Sequence, residues 1–237
     1  MAVLISESER NEVRAHFPGL DFQDGEGVTV LTGVLDVNAV FDQVSIVDSF
    51  SVRIELSKGY PNEIPIVKEC GDRIKSLAVL RGITDTRDLH CYPENNRICL
   101  CIGDEERKRF TPDLGLRRFI EELVVPYFYA FRFFERNNRW PWGDYRHCLL
   151  GYFEYYLDVR GVPDKGAVSN FLGILRNAGK KAEWDVYENC LRHKGGIKGH
   201  LVCPSCKNFS KLRNCHPNAL KGMRIFRQDM NQFGVQI

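Results

Sequence analysis

No window of this chain approaches the 18 to 20 consecutive apolar residues that a membrane-spanning helix requires. The richest stretch, VVPYFYAFRFF, is interrupted by Pro126 and Arg132. The first residues, MAVLISESERNEV, lack a basic leader followed by an apolar run, so a secretory signal is not expected. There is no internal repeat, no low-complexity segment and no glycine-rich nucleotide loop following a strand pattern. Net charge is also scarce, at +2 over 237 residues, which by itself points to no acidic or basic partner. These absences predict a cytoplasmic globular protein. Its nine cysteines are then expected as reduced thiols, metal ligands or catalytic groups rather than structural disulfides.

What is present is ordinary in amount and uneven in placement. Hydrophobic content of 43% and charged content of 27% suffice for a sizeable core without covalent staples. Cys70, Cys91 and Cys148 stand alone, Cys99 and Cys101 are separated by one residue, and Cys190, Cys203, Cys206 and Cys215 crowd the C-terminal region. From Leu191 onward, nine lysines and arginines face Asp229 as the one acid, so the tail is basic and nucleic acid stays open as a partner.

The pattern along the chain predicts an α+β fold. Residues 6 to 17 read as a helix capped by Ser6 or Ser8 and ended by Pro18-Gly19. Residues 28–37 and 44–56 read as strands, the second by strict alternation of Phe50, Val52, Ile54 and Leu56 with polar residues. After the Tyr60-Pro61 turn, IVKEC reads as a further short strand, giving an antiparallel meander of three or four strands. Residues 71–98 are polar and irregular. Thr111-Pro112-Asp113 reads as the start of a helix whose apolar face carries Phe119, Ile120, Leu123, Val124 and Tyr127. Helices are also expected within 140–158, at 167–178 and at 181–192. VRGVPDKG, 159–166, is the linker candidate, dividing a domain at 1–158 from a helical and cysteine-rich region at 167–237.

Two constellations carry chemistry. In the first, His90 precedes Asn96-Arg97-Ile98-Cys99-Leu100-Cys101. In extended backbone the two thiols share a side, and either could be a nucleophile. A Cys–His pair of Cys99 with His90 is a further possibility, while Asp104, Glu105 and Glu106 follow as acids able to help deprotonate an amine. In the second, Cys203-Pro-Ser-Cys206 is followed after eight residues by Cys215-His216. That spacing is a metal-binding knuckle for tetrahedral zinc, with Cys203, Cys206 and Cys215 as ligands. His216 is the preferred fourth, and His200, His193 and Cys190 are alternatives. The zinc is expected to be structural, folding a tail too short for its own core.

The order helix, strand meander, Tyr60-Pro61-Asn62-Glu63-Ile64-Pro65, His90, Asn96-Arg97-Ile98-Cys99-Leu100 resembles ubiquitin-conjugating enzymes over about residues 1–158. Trp140-Pro141-Trp142-Gly143-Asp144-Tyr145-Arg146-His147 with Leu149-Leu150-Gly151 resembles the prokaryotic branch of that family, found in anti-phage (CBASS) operons beside cGAS-like nucleotidyltransferases. The resemblance implies a UBC-like fold and an acyltransferase. Cys99 would accept the C-terminus of a partner protein, the nucleotidyltransferase, as a thioester and pass it to a lysine of an acceptor protein. It also implies a bracing role for His90. His90 is followed by Cys91-Tyr92 where the family has Pro-Asn, so Asn95 or Asn96 is left to support the oxyanion. The tail segment resembles the SEC-C zinc motif, with one extra residue in its first knuckle. Two other functions fit the same residues: a non-catalytic binding module of this fold, and a cysteine hydrolase that removes such conjugates.

Overall fold

The computed structural model describes residues 5–143, 145, 148–204 and 210–237. They divide into two compact units, Met1–Gly143 and Asp144–Ile237. The division falls ahead of the expected 159–166 linker. Residues 160–164 connect two helices inside the second unit, because the apolar face of the helix at 148–159 packs within it.

In the first unit, α1 (Glu7–His16) starts where Ser6 Oγ accepts the Glu9 amide at 3.1 Å. Four antiparallel strands follow in the order β1 (Leu20–Gly25), β2 (Val28–Phe41), β3 (Val44–Ser57) and β4 (Ile66–Glu69). β2 and β3 stay in register from Val28↔Ser57 to the tip pair Phe41↔Val44. The period of two therefore places Leu35, Val37, Phe50, Val52, Ile54 and Leu56 in the core. β1 was not expected, and only Leu20 of its six residues is buried. The irregular stretch after β4 contains α2 (Arg73–Leu80) and a short 3₁₀ turn at Thr86–Leu89. Arg73 bridges Asp48 at 2.8 Å and Glu135 at 2.7 Å, tying α2 to β3 and to the long helix that crosses the sheet.

That long helix is one rod in three parts: α4 (Gly115–Phe119), a π-helical turn (Ile120–Val124) and α5 (Val125–Asn137), after the short α3 (Gly103–Arg109). The π turn adjoins Pro126, which cannot donate a helical hydrogen bond. Phe119, Ile120, Leu123, Val124 and Tyr127 are all buried, as their spacing predicts. Phe128 meets Phe50 of the sheet at 4.5 Å between ring centroids. The helix begins at Gly115 rather than at Thr111, whose hydroxyl bonds the Asp113 carboxylate. Residues 111–114 form a turn closed by the Leu114 amide on the Thr111 carbonyl, 2.9 Å. Glu9 joins α1 to the distant parts, accepting from the Tyr60 hydroxyl at 2.5 Å and the Leu116 amide at 2.8 Å.

The second unit is helical: α6 (Cys148–Val159), α7 (Lys165–Ala178), α8 (Lys181–Arg192), α9 (Leu212–Cys215) and α10 (Pro217–Phe233). α10 corrects the expectation of a tail without its own core. Leu220, Met223, Phe226 and Met230 are buried, and Phe226 contacts Tyr156 at 5.0 Å and Phe171 at 5.4 Å between ring centroids. Buried Asp229 accepts from the Tyr156 hydroxyl at 2.7 Å and from Arg160 at 2.7 Å. Gly222 lets α10 press against α6, since a Cβ there would lie 1.8 Å from the Phe153 carbonyl oxygen. The chain is thus mixed α+β with one antiparallel sheet, and among the described residues no helix is long and apolar enough to cross a membrane.

Candidate functional site

The thiols at 99 and 101 are positioned by a small ladder built on the free edge of β4. The Ile98 amide donates to the Val67 carbonyl at 2.8 Å, and Arg97 bridges to Lys68. The chain then folds back so that Cys91 pairs with Ile98. Tyr92 N donates to Arg97 O and Cys99 N to His90 O, both at 2.8 Å. The turn between them is local chemistry: Asn95 Oδ1 accepts the Arg97 amide at 3.0 Å, and Asn96 takes a left-handed φ of 57°, which asparagine tolerates. Asn96 is therefore the turn residue, and Asn95's side-chain oxygen is committed to the backbone.

Alternation about this bridge sorts the side chains. Cys91 and Ile98 face inward, exposed by 4% and 1%. Their neighbours His90, Tyr92, Arg97 and Cys99 consequently share the outward face. Cys99 is half-buried there, and its thiol donates to the Cys101 carbonyl at 3.4 Å. Burial pushes the Cys99 thiol up to about 11, and the charge of Glu106 adds to the rise. A hydrogen bond from the Tyr92 phenol and the nearby Arg97 pull in the opposite direction. The Tyr92 phenol is itself pushed to about 12, by burial first and then by Cys99.

Glu106 comes from α3 and lies 3.5 Å from Arg97 Nη2, with its side chain only 16% exposed. Asp104 and Glu105 pair instead with Lys108 and Arg109 along α3. Of the three acids weighed from sequence, Glu106 is the one whose charge raises the Cys99 thiol. Cys101 is also half-buried and is pushed to about 12 by burial and Glu106. His90 has a left-handed φ of 53°. Its ring meets Trp140 edge-on at 4.7 Å, and Trp140 stacks on Phe134 of α5 at 5.0 Å. The structure thus gathers Cys99, Cys101, Tyr92, Arg97 and Glu106, with His90 paired to Cys99 through the backbone and its ring against Trp140. Tyr92 and Arg97 were missed as site residues. Alternation outward from an inward-facing Ile98 was the one signal able to mark them.

The C-terminal constellation is assembled by a second antiparallel pairing, of residues 201–203 with 210–212. Val202 bridges to Lys211, Cys203 N donates to Ser210 O at 2.8 Å, and Leu212 N donates to Leu201 O at 2.9 Å. This brings Cys203 beside α9, whose end presents Cys215 and His216. His216 Nδ1 lies 3.5 Å from Cys203 Sγ and 3.0 Å from Cys215 Sγ. The three ligand atoms all fall within 4.8 Å of one another. In a tetrahedral zinc site with bonds of about 2.0–2.3 Å, ligand atoms stand roughly 3.5–3.8 Å apart, so this group could hold a metal ion with little adjustment. Cys203 and His216 are buried, which suits a closed site rather than an open catalytic one. Cys206 lies outside the described residues. His193, His200 and Cys190 do not belong to the group, and His193 Nδ1 instead accepts the Gly195 amide at 3.1 Å.

No protein-family model, no curated protein and no solved structure matches this chain.

Proposed function

We propose that the first unit is a ubiquitin-conjugating-like acyl carrier with Cys99 as its nucleophile. The observation that carries the reading is the half-buried thiol of Cys99, set on the edge of a four-stranded meander and flanked by Tyr92, Arg97 and Glu106. In the first step the Cys99 sulfur attacks the activated C-terminal carbonyl of a partner protein, presented as a thioester by a separate activating enzyme. A new S–C bond forms, the donor's S–C bond breaks, and the Cys99 proton passes to the departing thiolate. In the second step a lysine amine attacks the Cys99 thioester, the C–S bond breaks, and the amine proton returns to the Cys99 sulfur.

A thiol near 11 is unreactive while it waits, yet strongly nucleophilic once deprotonated, since nucleophilicity rises with basicity. It is also a poor leaving group. The Tyr92 phenol and the Arg97 guanidinium ease its departure by bonding and screening the developing thiolate. Glu106 attracts the approaching lysine ammonium, and its carboxylate accepts the proton that must leave before the neutral amine can attack. The neighbouring charge also tells against a cysteine hydrolase: a Cys–His pair needs an imidazolium that lowers the thiol, whereas here burial and a carboxylate raise it.

By the same resemblance, the acyl donor is a cGAS-like nucleotidyltransferase of an anti-phage operon and the acceptor is a lysine-bearing protein. For the second unit we infer a structural zinc held by Cys203, Cys215 and His216. The cysteine spacing nominates Cys206 as its fourth ligand. Bound there, the ion would clasp the segment at Cys203 to the start of α10.

Co-expression with the operon's nucleotidyltransferase and its activating enzyme, followed by non-reducing gels and intact-mass measurement, tests the reading. A reducible, hydroxylamine-sensitive adduct is expected in the native chain and in Cys101→Ala, and none in Cys99→Ala. Loss with Cys101→Ala alone would transfer the role to that residue. Absence of any adduct in all three would reject conjugation.

A further inference from the structure

We propose that the second unit binds a phosphate monoester of nucleotide size in a cleft between α10 and the turn that follows α8. The inference is independent of the conjugation reading, because every residue it uses lies in the other unit. The cleft is a shallow depression open to solvent, with about 460 Å³ of accessible space, enough for a small ligand to lie in it partly exposed. Its charged side chains are Lys194, Arg224 and Arg227, and no carboxylate lines it. Gln228 and Asn231 add neutral amides, and Ile197, 5% exposed, gives it an apolar floor.

What distinguishes this cleft from a merely basic surface is how the guanidiniums are held. Arg224 Nε donates to the Ile197 carbonyl at 3.0 Å, and Arg227 Nη2 donates to the His193 carbonyl at 2.6 Å. Both forks are fixed by main-chain oxygens of one turn, which orient them without neutralising their charge. Lys194 sits on the same turn, and none of the three forms an ion pair among the described residues. The one acid nearby in sequence, Asp229, is buried and saturated by Tyr156 and Arg160.

The turn is shaped to allow this. Gly196 has a φ of +79°, and a Cβ there would stand 3.3 Å from Arg227 Nη1. A side chain at 196 would be strained and would crowd the guanidinium. Three uncompensated cations, two of them planar forks, match a tetrahedral dianion better than a single carboxylate. The remaining volume and the amides of Gln228 and Asn231 suit the organic part of the ligand.

Isothermal titration of the full chain with AMP, adenosine and a 20-nucleotide single-stranded DNA tests the proposal. One-to-one saturable binding of AMP is expected, with adenosine at least about tenfold weaker, as loss of charge-assisted hydrogen bonds implies. Arg227→Gln should weaken AMP about tenfold. Because Arg227 also supports the turn, Lys194→Gln, which disturbs no described contact, is the second variant and should weaken AMP several-fold with unchanged melting temperature. Lys198→Gln and Lys221→Gln, cations outside the cleft, should leave AMP binding unaltered. Equal losses in those two variants, or no saturable AMP binding, would overturn the proposal. DNA binding that AMP does not displace would overturn it too, assigning this face to a nucleic-acid backbone.

Discussion

At the scale of single residues, the chemistry of the first unit turns on how strongly Cys99 keeps its proton. A thiol at about 11 is thiolate in only about one molecule in ten thousand at pH 7. Alkylation by iodoacetamide, read at Cys99 by peptide mass spectrometry, should therefore rise about tenfold per pH unit from 7 and level off only near 11. Tyr92 lowers the thiol through its hydrogen bond and Glu106 raises it. Tyr92→Phe should accordingly slow alkylation at every pH below the plateau, and Glu106→Gln should speed it. A plateau near pH 8 in the native chain would contradict this account. The two thiols and His90 were visible in the sequence as residue types at a spacing. Their protonation was not, since it depends on burial and on a carboxylate that α3 brings back seven residues later.

At the scale of elements, close approach of α10 to α6 rests on one absent side chain. Gly222→Ala sets a Cβ against the Phe153 backbone, and should destabilise the second unit by about 1–3 kcal/mol or more, as overpacking does. Gly173 of α7 is the control: a Cβ there meets nothing within 4 Å. Gly173→Ala should be stabilising by about 0.5–1 kcal/mol from helix propensity alone. Urea unfolding followed by the fluorescence of Trp184, buried on α8, distinguishes the two. Elements with a clean period were legible in advance: β3 by alternation, and the rod through Phe119 and Tyr127 by its apolar face. β1 was not, because an edge strand with a single buried residue is defined by its register against β2 rather than by its own pattern. α10 was concealed by emphasis on its basic charges and the adjacent cysteines. Yet Leu220, Met223, Phe226 and Met230 recur at helical spacing, with Pro217 at the first helical position and Gly234 beyond the last.

At the scale of the whole molecule, two units with separate cores give the metal a narrower duty than the cysteine spacing suggests. The second unit packs α10 against α6 and α7 through apolar contacts, so the ion is not required to create a core there. Purified protein should carry about one zinc per chain by atomic emission. Chelation should remove hydrogen-exchange protection from peptides within 199–216 while leaving those of β3 and α7 protected. Collapse of protection throughout the second unit would restore the metal to a folding role, and a metal-free native chain would dismiss it.

The ladder at 90–99 also limits what its turn has to do. Ile98 is held from outside the turn, by its amide on the Val67 carbonyl of β4, and Cys91 by its bridge to Ile98. The facing of both is therefore set by these pairings and not by the residues at 93–96, since connections of two to five residues all close hairpins. The turn can vary in length and composition so long as the two pairings survive.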